Sequence, residues 1–85
     1  MEYVVVAFRS RAHTIKFSSL LSSNGVKNEI INTPKEAGVG CGLSVKIRKE
    51  QFEIVKRAVH LVKANSFAGF FLVKIVLGKR IVKSI

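Results

Sequence analysis

Residues Gly42–Lys63 read GLSVKIRKEQFEIVKRAVHLVK, and the period of their apolar residues changes halfway. Leu43, Val45 and Ile47 alternate with Ser44, Lys46 and Arg48, a spacing of two that predicts a half-buried strand over Gly42–Arg48. From Phe52 onward the spacing becomes helical. Phe52, Val55, Val59 and Val62 form one stripe beside Ala58, with Lys56, Arg57, His60 and Lys63 opposite. Glu50 and Glu53 suit the first turn of that helix, and Asn65-Ser66 ends it. A strand running directly into an amphipathic helix sets the chain's organisation, and the rest follows outward from it.

Upstream, Tyr3–Phe8 (YVVVAF) is a continuous β-branched and aromatic run that suits a buried central strand. Ser10 offers a helix N-cap and Asn24-Gly25 a stop, with Phe17, Leu20 and Leu21 on one face between them. Val26–Asn32 reads as a second strand and Thr33–Gly40 as a loop. Downstream, Phe70–Leu77 is a fourth strand, Gly78-Lys79 a turn, and Ile81–Ile85 a short additional strand at the carboxyl end. The order β-α-β-β-α-β is that of a ferredoxin-like α+β sandwich, with two helices on one face of a four-stranded antiparallel sheet. One domain, residues 1–85, is expected, because a chain of this size holds one modest core.

Fifteen Lys and Arg against five acids give a formal charge of +10, which attracts nucleic acid, anionic lipid or an acidic partner. Residues 43–85 carry ten of those cations and two of the acids. A single cysteine excludes an internal disulfide and fits a reducing, cytoplasmic setting. Phe67–Leu77, the most apolar run, is interrupted by Lys74 and is too short for a membrane helix. No Cys-x-x-Cys pair stands in the chain and one cysteine with two scattered histidines is poor ligand spacing, so no metal is expected. Gly38-Val39-Gly40 lacks the third glycine and following helix of a dinucleotide site, and no cofactor is expected.

The chemistry-bearing stretch is Thr33–Ile47, TPKEAGVGCGLSVKI, where Cys41 lies among Gly38, Gly40 and Gly42. In the expected topology this loop shares an end of the sheet with the exit of the first strand and the start of the first helix. Cys41 should therefore lie near Arg9, Ser10, Arg11 and His13. Glycine loops can turn successive N–H groups onto an anion. Helix amino termini and cations do the same work, so Arg9, Arg11 and Lys35 would favour the reactive thiolate. His13 could act as a base toward it. The alternative is a buried cysteine behaving as a small hydrophobe.

Phe8, Ser10, His13 and Ile15, the Gly25-Val26 stop, and above all Thr33-Pro34-Lys35-Glu36 and Cys41-Gly42-Leu43 carry a resemblance to a known family. The chain resembles the selenium/sulfur carrier protein-like family of small bacterial domains over roughly residues 2–65. Ser18 stands where that family commonly has an acid. The resemblance implies a carrier, with Cys41 holding sulfur or selenium for a protein partner. An enzyme is not expected, since the chain has no acid–base pair, no nucleotide loop before a helix and no metal set. Two other readings stay open. A pairing module could associate through its helix-free face or the tail KRIVKSI, giving a homodimer. A nucleic-acid binder could stack bases on Phe70 or Phe71 in AGFFLV.

Overall fold

The computed structural model describes residues 1–85 as an α+β fold with two helices and a five-stranded, wholly antiparallel sheet. The strands are β1 (Glu2–Phe8), β2 (Asn28–Asn32), β3 (Leu43–Ile47), β4 (Phe67–Val76) and β5 (Lys79–Ser84). The helices are α1 (Arg11–Ser23) and α2 (Phe52–Val62). In the sheet the order is β2-β3-β1-β4-β5, so the β-branched run of β1 lies centrally between β3 and β4. Its alternate residues feed two cores. Val4, Val6 and Phe8 face the helices with Val45, Ile47, Phe17, Leu21, Val55, Val59 and Phe70. Val5 and Ala7 face the other way, with Phe71 and Val73.

Local chemistry accounts for the element ends. Ser10 caps α1 by accepting the His13 backbone N–H on its side chain at 3.1 Å. Lys63 closes α2 at φ 51°, and its N–H donates to the Val59 carbonyl. Four aromatic rings, Phe8, Phe17, Phe67 and Phe70, join end to end with centroids 4.9 to 5.9 Å apart and staple α1 to the end of the sheet.

Several expectations need correction. The additional carboxyl-terminal strand expected at Ile81–Ile85 is present but starts at Lys79. It pairs fully with β4 from Phe71↔Ser84 to Val76↔Lys79, so the sheet has five strands where four are expected to form it. The fourth strand begins at Phe67, three residues early. Ala68 is an extra residue opposite β1, a bulge between Ala7↔Gly69 and Phe8↔Phe67 that lets β4 continue to the sheet's end. Ser44, assigned by alternation to a polar face, is wholly buried and hydrogen-bonded to Thr33 Oγ1 at 2.7 Å. The helix-free face is not bare either. The β2–β3 connection makes a 3-10 turn at Lys35–Ala37 and packs Ala37 and Val39 against that face, beside Val82 of β5. Phe70 and Phe71 are both buried, one in each core, so neither ring is open to a base. No helix is long and apolar enough to cross a membrane.

Candidate functional site

β1 and β2 run toward one end of the sheet, where α1 begins and β3 starts, because β3 is antiparallel to both. The loop joining β2 to β3 is fastened at that end. Thr33 N–H donates to the Gly42 carbonyl at 2.9 Å, and Cys41 N–H donates to the Phe8 carbonyl at 3.3 Å. Gly40 approaches β1 so closely that a Cβ there would lie 3.3 Å from the Phe8 oxygen, with φ at +95°. A glycine is required at that point for both space and torsion.

Cys41 is free and exposed. Its sulfur lies 3.6 Å from the Leu43 carbonyl oxygen and 3.8 Å from Thr14 Oγ1, in the first turn of α1. The Thr14 side chain is fully buried, and its hydroxyl donates to the Ser10 carbonyl at 3.0 Å. With that proton committed, both neighbours of the sulfur act as acceptors, and the thiol proton has two oxygens to choose between. Turning the Thr14 O–H toward the sulfur would give a thiolate one donor, at the expense of the Ser10 bond.

The predicted residues divide into three groups. Arg9 and Lys35 come together with Gly38, Gly40 and Gly42 around a shallow depression of about 580 Å³. Cys41 sits between two of those glycines, while its sulfur turns to Thr14 and Leu43. Arg11 is exposed at the start of α1. His13 makes its ring hydrogen bond elsewhere: Nδ1 meets Ser66 Oγ, just before β4. Its ring lines a groove of about 870 Å³ between α1 and the end of α2, with Lys16, Leu20, Val62 and Lys63. Ser18 donates to Asn28 Oδ1 at 2.6 Å and tethers α1 to β2.

Three contacts escaped the sequence reading. Thr14 is separated from Cys41 by 27 residues, and nothing in its neighbourhood signals the pairing. Ser66 reads as a helix stop, yet it takes the His13 ring. Glu36 receives a two-pronged bond from Arg80 on β5, at 2.8 and 3.1 Å. That bond holds the Glu36 carboxyl below its ordinary range and raises Arg80. The carboxyl-terminal strand thus grips the loop that carries the cysteine. No group of three or more His, Cys, Asp or Glu converges anywhere.

The fold and this end of it define a small α+β domain presenting one accessible thiol on an anchored glycine loop. Residues 3–65 match the family described as "Putative Se/S carrier protein-like", and the chain belongs to that family. The match contains Cys41, Thr14 and the whole glycine loop, and stops before β4 and β5. No curated protein and no solved structure matches the chain.

Proposed function

We propose that this protein is a non-enzymatic carrier that holds sulfur or selenium on Cys41 and passes it to a protein partner. One observation carries the reading: the chain's only cysteine is exposed, on a loop pinned to β1, inside the residues that match the carrier-like family. We read β1–β4 with the two helices as a ferredoxin-like unit to which β5 is added. A reducing compartment such as the cytoplasm would keep the thiol free.

Loading is an exchange without net oxidation. The Cys41 thiolate attacks the terminal sulfur of a donor persulfide. A sulfur–sulfur bond forms at Cys41 as the donor's own breaks, and the donor leaves as a thiolate. A donor selenosulfide would give the selenium adduct in the same way. Delivery repeats the exchange with an acceptor thiolate attacking the terminal atom. The thiol proton leaves to solvent, since Cys41 is an exposed residue, and the Thr14 hydroxyl can then turn to donate to the anion.

Incubation of the folded protein with glutathione persulfide, followed by intact-mass measurement, tests this. A gain of one sulfur atom that dithiothreitol removes and Cys41→Ser abolishes is the expected result. Uptake only after unfolding in denaturant would sink the carrier reading.

A further inference from the structure

The charges are sorted by position. Of the five acids, Glu2, Glu29 and Glu50 surround a hollow at the end of the sheet where β1 begins. Glu53 lies in the first turn of α2, at that same end. Glu2 and Glu29 are further paired there with Lys49, Lys74 and Lys46. The fifth acid, Glu36, is neutralised by Arg80. The end that presents Cys41 therefore keeps its cations without compensation. Arg9 and Lys35 flank the glycine loop, Arg11 opens α1, and Lys16 and Lys63 line the groove with His13. None of these five cations has a carboxylate partner.

Distance preserves the separation. Seven residues of β1 span about 20 Å at roughly 3.3 Å per residue. Screening at physiological ionic strength acts over about 8 Å, so the acids at the far end do not cancel the field at Cys41. The groove beside it adds an apolar strip, with Leu20 and Val62 both partly exposed between Lys16 and Lys63. His13 in the groove is the chain neighbour of Thr14, which touches the cysteine sulfur, so the groove opens beside the same first turn of α1 that meets the thiol.

We infer that this end is a docking surface for an acidic protein partner, which presents its own cysteine to Cys41. The identity of the exchange rests on the carrier reading, but the charge preference does not, and the two are separable by experiment. Two synthetic peptides serve as probes, each with one cysteine flanked by glutamates or by lysines and activated as the mixed disulfide with thionitrobenzoate. The Cys41 thiolate attacks the peptide sulfur, the disulfide breaks, and coloured thionitrobenzoate leaves from both peptides alike. No loading with sulfur is needed.

The glutamate peptide should react about ten-fold or more faster at low salt, with the ratio falling toward unity as salt rises. Arg11→Glu with Lys63→Glu should erase the preference. Lys27→Glu with Arg48→Glu makes the same change of net charge at the other end and should largely preserve it. Equal rates for the two peptides, or equal effects of the two double variants, would overturn the proposal. Protection of Cys41 by polyuridylate, where an unactivated glutamate peptide gives none, would also overturn it and assign the surface to nucleic acid. Failure of persulfide loading alongside a clear charge preference would discard the carrier reading and leave the acidic partner standing.

Discussion

Replacing Gly40 with alanine, beside the same change at Gly42, isolates what anchors the cysteine loop. Both positions have nearly the same torsion, φ +95° and +97°. Each alanine therefore pays a similar conformational cost, of order 1–3 kcal/mol for an L-residue held there. Each also gains the same reduction in freedom of the unfolded chain, roughly 0.4–1 kcal/mol. The surroundings differ. A Cβ at Gly42 meets nothing within 4 Å, whereas at Gly40 it would lie 3.3 Å from the Phe8 carbonyl oxygen. That oxygen also accepts the Cys41 N–H, in a bond already 3.3 Å long. A shift of a few tenths of an ångström weakens the bond, which is worth about 1 kcal/mol. Gly40→Ala should therefore be about 1 kcal/mol less stable than Gly42→Ala, a difference of roughly 4–8 °C in Tm for a domain this small. Thermal unfolding followed by circular dichroism measures it, and iodoacetamide reactivity of Cys41 should change more in Gly40→Ala. Equal midpoints for the two variants would refute the argument that contact with β1 holds the loop.

Thr14→Val keeps the shape of a buried residue and removes the hydroxyl facing the sulfur. It should cost about 1 kcal/mol for the lost bond to Ser10 and slow alkylation of Cys41, read as a second-order rate with iodoacetamide. Phe17→Ala opens the aromatic chain against Phe8 and should cost about 3–5 kcal/mol, visible as a large fall in the denaturant midpoint. Glu2 and Glu36 are both held below the ordinary carboxylate value of 4.5, by bonds to Lys49 and Arg80 respectively. A depressed carboxyl contributes stability that is present above its unfolded value and is lost as pH falls through its folded one. Tm should therefore decline on acidification below about pH 4.5, and Arg80→Ala should remove the share that belongs to Glu36. Lys49 is raised above 10.5, so its contribution holds through neutral pH and disappears only in strong alkali. Arg80→Glu sets two like charges against each other and should speed tryptic cleavage after Lys35, followed by mass spectrometry of the released peptides against the wild type.

The periodicities were enough for most of the architecture. YVVVAF could only be a strand buried on both faces, and it became the centre of the sheet. The switch of period after Ile47 marked where strand gives way to helix, and the Ser10 cap stands where a serine ahead of an amphipathic run is expected. The shared location of Cys41 and the start of α1 followed from strand directions, and Phe8 and Thr14 bear it out. Alternation failed at Ser44 because the loop folds back over the face that period two marks as solvent. Phe67–Gly69 escaped because a bulge breaks the alternation at Ala68.

By itself, then, the sequence determined the elements, the central strand, the exposed-glycine character of the cysteine loop and the excess of positive charge, because each is written in neighbours a few residues apart. Only the tertiary structure decided which cations remain uncompensated beside Cys41, that Thr14 rather than His13 touches its sulfur, and that Arg80 grips the loop from a strand 44 residues away. Those are pairings between distant segments. They depend on twist, bulge and the path of one loop across a sheet, and no local spacing encodes them.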